Sequence, residues 1–299
     1  MRHSFFDSAR RRGDVLSTGL RYKLLQAQGL IPSAIRLVAF HTEEKAPIGF
    51  LYLEKNTGWL YTIEYLFVDP KYRRRGLATK LLNYAFLIAK ENGARKVNLN
   101  VTAKSTRAIE LYEKLGFKKI GCTVLAQRFL PGTRYSRITK RVIVGQGYLT
   151  KFALGGKSRL FKLKTDSKRN RNLLFNIYRQ CIDHEWIEFF EIDDSNFIYG
   201  SRNVWQPPFF RDVLVNDLTN SYALIFNLPF SSKATVELYS TSISIIPCVL
   251  TDLLKNLTNR GVSFAQITFF NVGNKLASNW LEKKGMMTFK FVAMGKDLE

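Results

Sequence analysis

Two periods alternate along the first part of the chain. Ile35–His41, Ile48–Leu53 and Thr62–Val68 are short runs of β-branched, aromatic and aliphatic residues, separated by polar turns at Glu43–Ala46 and Asn56–Gly58. Three such runs with tight turns predict an antiparallel meander. From Leu77 the period lengthens: Leu77, Leu81, Leu82, Ala85, Phe86 and Ala89 recur at helical spacing up to Asn92-Gly93, a helix stop signal. Lys96–Val101 then predicts a strand, Ser105 the cap of a second helix carrying Tyr112, and Thr123–Phe129 and Arg137–Val144 two more strands. Ahead of the meander, Met1–Ser33 is basic and contains Leu20, Leu24, Leu25 and Leu30, which predict one or two short amphipathic helices.

The junction between the third strand and the first long helix carries the first chemical signal. It reads Val68-Asp69-Pro70-Lys71-Tyr72-Arg73-Arg74-Arg75-Gly76-Leu77-Ala78. At a helix start, backbone N–H groups lack intrahelical acceptors and the helix dipole adds positive potential, so an anion is stabilised there. Gly76 and Ala78 leave room for a diphosphate to approach the backbone, and three arginines supply permanent charge. The junction reads as a phosphate cradle, although a solvated basic turn would look the same in isolation.

A second block stands downstream: Ser105-Thr106-Arg107-Ala108-Ile109-Glu110-Leu111-Tyr112-Glu113-Lys114-Leu115-Gly116-Phe117. Arg73–Ala78 resembles the Arg/Gln-x-x-Gly-x-Gly/Ala loop of the GNAT acyltransferase superfamily, and the second block resembles that family's Asn-x-x-Ala-x-x-Leu-Tyr-x-x-x-Gly-Phe. By these motifs the match is nearest the protein N-terminal acetyltransferase branch. The resemblance implies an N-acetyltransferase that moves an acetyl group from acetyl-CoA, as co-substrate and without a metal, to a primary amine on a protein N-terminus, a lysine or a small molecule. It implies that Leu66, Phe67 and Val68 line the pantetheine arm, backbone of the last two pairing with it. Arg73, Arg74, Arg75, Gly76, Leu77 and Ala78 would hold the diphosphate, with Ser105 and Tyr112 completing the cofactor contacts. Tyr112 is then placed as the general acid toward the departing thiolate; the alternative is a packed core aromatic.

Two positions depart from the family pattern. Ser105 stands where the family often has Asn, which predicts a weaker cofactor contact. Asn100 stands where close relatives carry a glutamate base, and an amide cannot take that proton. The replacement base is expected to be Glu64, placed on the face of Leu66 and Val68 by the period of two; a surface or salt-bridged glutamate is the alternative.

The second half repeats the first. Gly261–Phe270 parallels Gly93–Thr102, Asn274–Met286 parallels Ser105–Phe117 without a gap, Ala234–Tyr239 fits the strand before the helix, Cys248–Asn259 fits that helix, and Phe291–Leu298 fits a last strand. Counting back from Gly261 places Thr241 and Ser244 where Arg73 and Gly76 stand, and Leu281 replaces the tyrosine. The expected fold is α/β, with tandem GNAT-like domains, each a mixed and mostly antiparallel sheet with helices on both faces. Residues 1–150 would form the acetyl-CoA-binding catalytic domain. Residues 151–299 would form a degenerate copy for structure, acceptor or partner binding, with the boundary in the glycine-rich stretch Gly145–Gly156.

Composition narrows the partners. The chain has 299 residues and a net charge of +22, and residues 1–150 hold 27 of its 46 Lys and Arg but only 10 of its 24 Asp and Glu. One small cofactor does not require that excess, so an anionic partner such as RNA or a ribosome is expected, unless the surface is simply lysine-rich throughout. This charge, together with Asn100, supports a rival class: a non-catalytic CoA-sensing or nucleic-acid-docking module with the same fold. Cys122, Cys181 and Cys248 are widely spaced, which predicts neither a disulfide framework nor a metal site. Without a signal-like apolar run at the start or a stretch able to cross a membrane, a cytoplasmic protein is expected. His184 in Asp183-His184-Glu185 and the run Glu185–Asp194 read as solvated helix, and Trp205–Phe210 as loop packing, with acceptor contact the alternative for the last two.

Overall fold

The structure, a computed structural model, describes residues 34–130 apart from 44 and 57, together with 161–162, 168–194, 197, 211–216, 220–226, 232–241, 246–270, 281–283 and 285–299. The predicted N-terminal helices, the strand at Arg137–Val144, the Gly145–Gly156 boundary and Trp205–Phe210 lie outside these residues. The chain packs as two compact units. The first holds the described residues up to Val97 with Leu298 and Glu299; the second holds those from Asn98 to Asp297.

In the first unit the predicted meander is present as β1 (Ala34–Phe40), β2 (Pro47–Lys55) and β3 (Leu60–Val68), antiparallel throughout. The helix α1 (Leu77–Glu91) follows. Its apolar stripe, Leu81, Leu82, Ala85 and Ala89, is buried, as are Leu51 and Leu53 of β2. Gly49 lets the helix come close: a Cβ there would lie 3.0 Å from the Phe67 carbonyl and 3.4 Å from Leu81. The helix ends at Asn92 and at Gly93 (φ 84°), whose positive φ suits a C-terminal cap. Next, the N–H groups of Arg95 and Lys96 both donate to the Trp59 carbonyl.

The second unit takes most of β4 (Lys96–Thr102), then α2 (Thr106–Lys114) and β5 (Lys118–Phe129). From the second half of the chain it adds β6 (Phe161–Lys162), α3 (Lys168–Cys181), α4 (His184–Phe189), β7 (Arg211–Asn216), β8 (Ser221–Phe226), β9 (Lys233–Ser240), α5 (Ile246–Asn259), β10 (Phe264–Phe270) and β11 (Met287–Asp297). The strand order within it is β4-β11-β5-β10-β9-β8-β7-β6. β9 and β10, joined through α5, are parallel, and the other pairs whose register is defined are antiparallel. This mixed sheet fits the expected class.

Here the packing departs from two separate halves. β5 pairs with β10 on one edge and with β11 on the other, so a strand of the first half lies between two strands of the second. The units divide at Val97 and Asn98, inside β4. Sequence periodicity marks which residues form strands but carries no record of which strand each one pairs with.

Hydrogen bonds repeat along the chain in register with the sequence repeat. Val262 N–H donates to the Leu257 carbonyl as Ala94 does to Ala89, and Ser263 and Phe264 share the Ser232 carbonyl as Arg95 and Lys96 share that of Trp59. Gly116 and Gly285 both have positive φ after their helices, and Phe117 and Met286 return their N–H groups to Tyr112 and Leu281.

Around β9 and β10, both faces of the second unit's sheet carry packed layers. One buries Val236, Leu238, Ala265 and Ile267 in a cluster with Val249, Leu250 and Leu253 of α5. Tyr239 stacks between Tyr222 (4.6 Å between centroids) and Phe270 (4.9 Å), and Tyr178 of α3 leans on it at 5.4 Å. Within this aromatic layer the buried Glu237 accepts a 2.7 Å hydrogen bond from the Tyr239 hydroxyl. At α4, Asp183 Oδ2 accepts the Cys122 N–H, which lies just past the end of the β10 ladder. His184 and Glu188 form an exposed i, i+4 pair at 3.4 Å on the solvated side of the helix, as expected, whereas Trp186 and Phe189 on its other side are buried, so the run from Glu185 is only partly solvated.

Helix α4 sits close on β11 because residue 295 lacks a side chain. A Cβ on Gly295 would lie 2.5 Å from Phe189 Cε2, with two further ring atoms at 2.7 Å. Gly295→Ala should therefore lower stability by roughly 1–3 kcal/mol through overpacking, read as a drop in urea midpoint. Phe189→Leu added to that variant should restore part of the loss.

Candidate functional site

The cradle is assembled at the end of β3 by local interactions of its own residues. Asp69 Oδ1 accepts the Lys71 N–H at 2.9 Å and caps a single 3-10 turn, Pro70–Tyr72. The Asp69 N–H donates to the Ile48 carbonyl, which fixes the exit from the sheet. Arg74 (φ 65°) and Gly76 (φ 74°) then both adopt left-handed backbone, reversing the chain on either side of Arg75 so that α1 can start. Gly76 is the N-cap residue and has no side chain to satisfy the helix start; the first return bond is Lys80 N–H to the Gly76 carbonyl, at 3.0 Å. The N–H groups of Leu77, Ala78 and Thr79 therefore have no acceptor inside the helix.

The three arginines are not equivalent. Arg73 Nε donates to the Val68 carbonyl at 2.9 Å and ties the loop to the strand end, and the Arg75 guanidinium lies 5.6 Å from the centre of the Tyr72 ring. Arg74 is exposed at the left-handed turn. An added Cβ on Gly76 would meet nothing within 4 Å, so the space over the helix start is open. Open space, unpartnered N–H groups and three cations together form an anion seat that fits a diphosphate.

The structure corrects one sequence argument about Glu64. Tyr52 pairs with Tyr65 and Leu53 with Ile63, so Glu64 is the extra residue of a β-bulge. The period of two therefore breaks at Glu64 and cannot place it on the face of Leu66 and Val68. It is exposed beside the exposed Tyr65, while Leu66 and Val68 pair with Leu51 and Gly49 and Phe67 pairs with Phe50. No hydrophobic pattern announces a single inserted residue, so the bulge was not readable from the sequence.

The remaining predicted residues lie in the second unit. Tyr112 is on α2, 8% exposed, with its ring edge against Phe117 at 5.7 Å. Burial raises its pKa above the usual tyrosine value, so the phenol holds its proton at neutral pH. Ser105 occupies the N-cap position but makes no side-chain cap bond; its hydroxyl lies 3.3 Å from Thr102 Oγ1 instead. Asn100 is exposed on β4. The three cysteines are free thiols, and burial pushes Cys181 up to about 12. Among the described residues, no group of three or more His, Cys, Asp or Glu gathers to hold a metal, and no helix is long and apolar enough to cross a membrane.

Comparison with known proteins agrees with this geometry. The family model described as "Acetyltransferase (GNAT) family" matches residues 5–117, which include the cradle and the helix of Tyr112. The peptidyl-lysine N-acetyltransferase YjaB of Salmonella typhimurium is 32% identical over 109 residues, covering 36% of this chain and 68% of that protein. This chain belongs to the GNAT acetyltransferase family. An uncharacterized N-acetyltransferase of Methanocaldococcus jannaschii is 40% identical over 81 residues, 24% of this chain and 35% of the archaeal protein, so the match spans about a third of that relative's length. A GCN5-related N-acetyltransferase from Sphaerobacter thermophilus shares the GNAT fold over 89% of this chain and 81% of its own, with a TM-score of 0.51 at 13% identity.

Burial also raises the pKa of Tyr178 and Tyr222, and the charge of Glu237 adds to the effect at both. A folded-state pKa above the unfolded value contributes stability that is fully present below the unfolded tyrosine pKa of about 10 and is lost as pH rises through the folded values. With Tyr112, Tyr178 and Tyr222 all raised, the urea midpoint should begin to fall above about pH 10. Tyr112→Phe should reduce the steepness of that fall.

Proposed function

We propose that this protein transfers an acetyl group from acetyl-CoA to a primary amine by direct attack. The observation that carries the reading is the open anion seat between β3 and α1, in a chain of the GNAT family. In this reading Arg73–Ala78 hold the diphosphate, mainly through backbone N–H groups. Leu66, Phe67 and Val68 border the pantetheine arm, and Ser105 adds a hydroxyl contact. The neutral amine nitrogen bonds to the acetyl carbonyl carbon, the carbon–sulfur bond breaks, and the products are an amide and free CoA thiol, the proton lost by nitrogen balancing the one gained by sulfur. Tyr112 supplies a proton to the sulfur, supported by burial that keeps the phenol protonated. Glu64, exposed at its bulge, accepts the amine's proton directly or through water in place of the base that Asn100 cannot be.

The proposal extends to two copies of the fold, of which residues 1–150 hold the working site and 151–299 a degenerate one. The repeated caps and shared carbonyls support the duplication. Degeneracy is supported by Thr241 in the place of Arg73 and by Glu237, which stands as far after Ser232 as Glu64 after Trp59. Glu237 lies in an unbulged ladder, buried, with Tyr239 bonded to it. The first-half charge supports an anionic partner such as RNA or a ribosome, and the free thiols support a cytoplasmic setting.

Titration calorimetry should find a single acetyl-CoA site per chain, lost in Gly76→Asp, which strains a left-handed position and places a carboxylate in an anion seat. Two sites, or Gly76→Asp binding unchanged, would refute the assignment. Tyr112→Phe should lower kcat while leaving acetyl-CoA affinity nearly unchanged.

A further inference from the structure

Charged residues on an exposed helix face ordinarily mix both signs, because a run of one sign repels itself. Of the described helices of eight residues or more, α1 carries Glu91, α2 carries Glu110 and Glu113, and α5 carries Asp252, but α3 has no acid among its 14 residues. It has four cations instead: Lys168, Arg169, Arg171 and Arg179. Three of them lie in its first four residues, where the helix dipole disfavours positive charge, so helix stability does not account for them.

The buried side of α3 defines the opposite, outward side. Leu174, Phe175, Ile177, Tyr178 and Cys181 are buried, and the helix packs on β8 and β9. Helical spacing turns Lys168, Arg169, Asn172, Asn176, Arg179 and Gln180 outward together; all six are exposed, and no apolar residue falls among them. Among the described residues the four cations form no ion pair. The Arg179 guanidinium lies 5.6 Å from the centre of the Phe175 ring, which steadies it without neutralising it. Acids come only after the helix, at Asp183, Glu185 and Glu188, and α4 packs on β5, so the two signs are segregated over different strands.

We propose that the outward face of α3 binds double-stranded RNA. Arg169 and Arg179 are ten residues apart, about 15 Å along the axis, with Asn172 and Asn176 between them. Laid across the wide, shallow minor groove of an A-form helix, this row sets cations on the phosphates of both rims and amides on the 2′-hydroxyls between. An amide both donates and accepts hydrogen bonds, as a 2′-hydroxyl does. The B-form minor groove, about 6 Å wide, is too narrow for a helix face. A protein interface is built round an apolar or aromatic centre, and a membrane-surface helix round an apolar face; this row has neither. The inference deepens the anionic-partner reading above, which drew on the charge of the first half, by giving that partner a surface in the second unit. It does not depend on acetyl transfer.

The test is fluorescence anisotropy of the full-length protein with a labelled RNA hairpin of about 16 base pairs, the DNA hairpin of the same sequence, and poly-glutamate of matched charge. Arg169→Gln/Arg179→Gln should weaken RNA binding about tenfold at about 0.15 M salt and lower the salt slope of log K by about 2. Glutamine is a comparable helix former, so thermal midpoint and acetyl-CoA affinity should not change. Asn172→Ala/Asn176→Ala should weaken binding of the RNA hairpin severalfold and leave the DNA hairpin within about twofold. Arg107→Gln/Lys114→Gln, the same loss of charge on the mixed-sign α2, should change RNA binding by less than about twofold. If the α2 variant is as damaging as the α3 variant, or if the α3 substitutions leave RNA binding unchanged, the α3 surface is overturned and the anionic-partner reading stands. Equal or tighter binding of the DNA hairpin or of poly-glutamate would overturn RNA as the occupant. Failure of the wild-type protein to bind the RNA hairpin would remove RNA from both readings.

Discussion

Strand β5 is the member on which the second unit depends, because both of its edges are occupied by strands from the far end of the chain. β10 lies along one edge and β11 along the other, each through a continuous antiparallel register that shifts only at Ala293/Met294. A backbone edge left unpaired in a buried sheet would cost free energy at every N–H and carbonyl. The second unit therefore cannot be complete until residue 297 has been added. The same ladder explains two glycines: Gly121 on β5 faces Asp183 and Trp186, and Gly295 on β11 faces Phe189, so α4 packs closely where both strands lack side chains.

The candidate chemistry has the opposite character. The cradle is built almost entirely from neighbours in sequence: a capped 3-10 turn, an arginine bonded back to the strand end, and two left-handed residues. Such a device can be copied or lost through a few substitutions without disturbing the sheet. In the second half, glycine caps and a carbonyl shared by two N–H groups recur at Gly261, Gly285 and Ser232. Its carboxylate at the corresponding strand position is buried and bonded to Tyr239, whereas Glu64 is exposed at a bulge. One extra residue in a strand separates an exposed carboxylate from one buried among aromatic rings.

Local order in this protein was legible in the sequence, and long-range pairing was not. The meander, the helix ending at Asn92-Gly93, the strand at Lys96 and the repeated caps at Gly261 and Gly285 follow from residue spacing and from the left-handed backbone that glycine permits. For the proposed site residues, the Gly76 turn and the helix that carries Tyr112 follow from the same local signals. Two features depended on contacts between separate strands: the placement of β11 beside β5, and the bulge that turns Glu64 out of the alternation. Periodicity specifies which side of a strand is apolar, but register and partner are chosen when distant strands compete for the same hydrogen-bonding edge. The sequence alone therefore determined the elements, the glycine turn and the family motifs, while tertiary structure decided how the strands interleave and which carboxylate is exposed, because register and partner are settled only when distant strands meet.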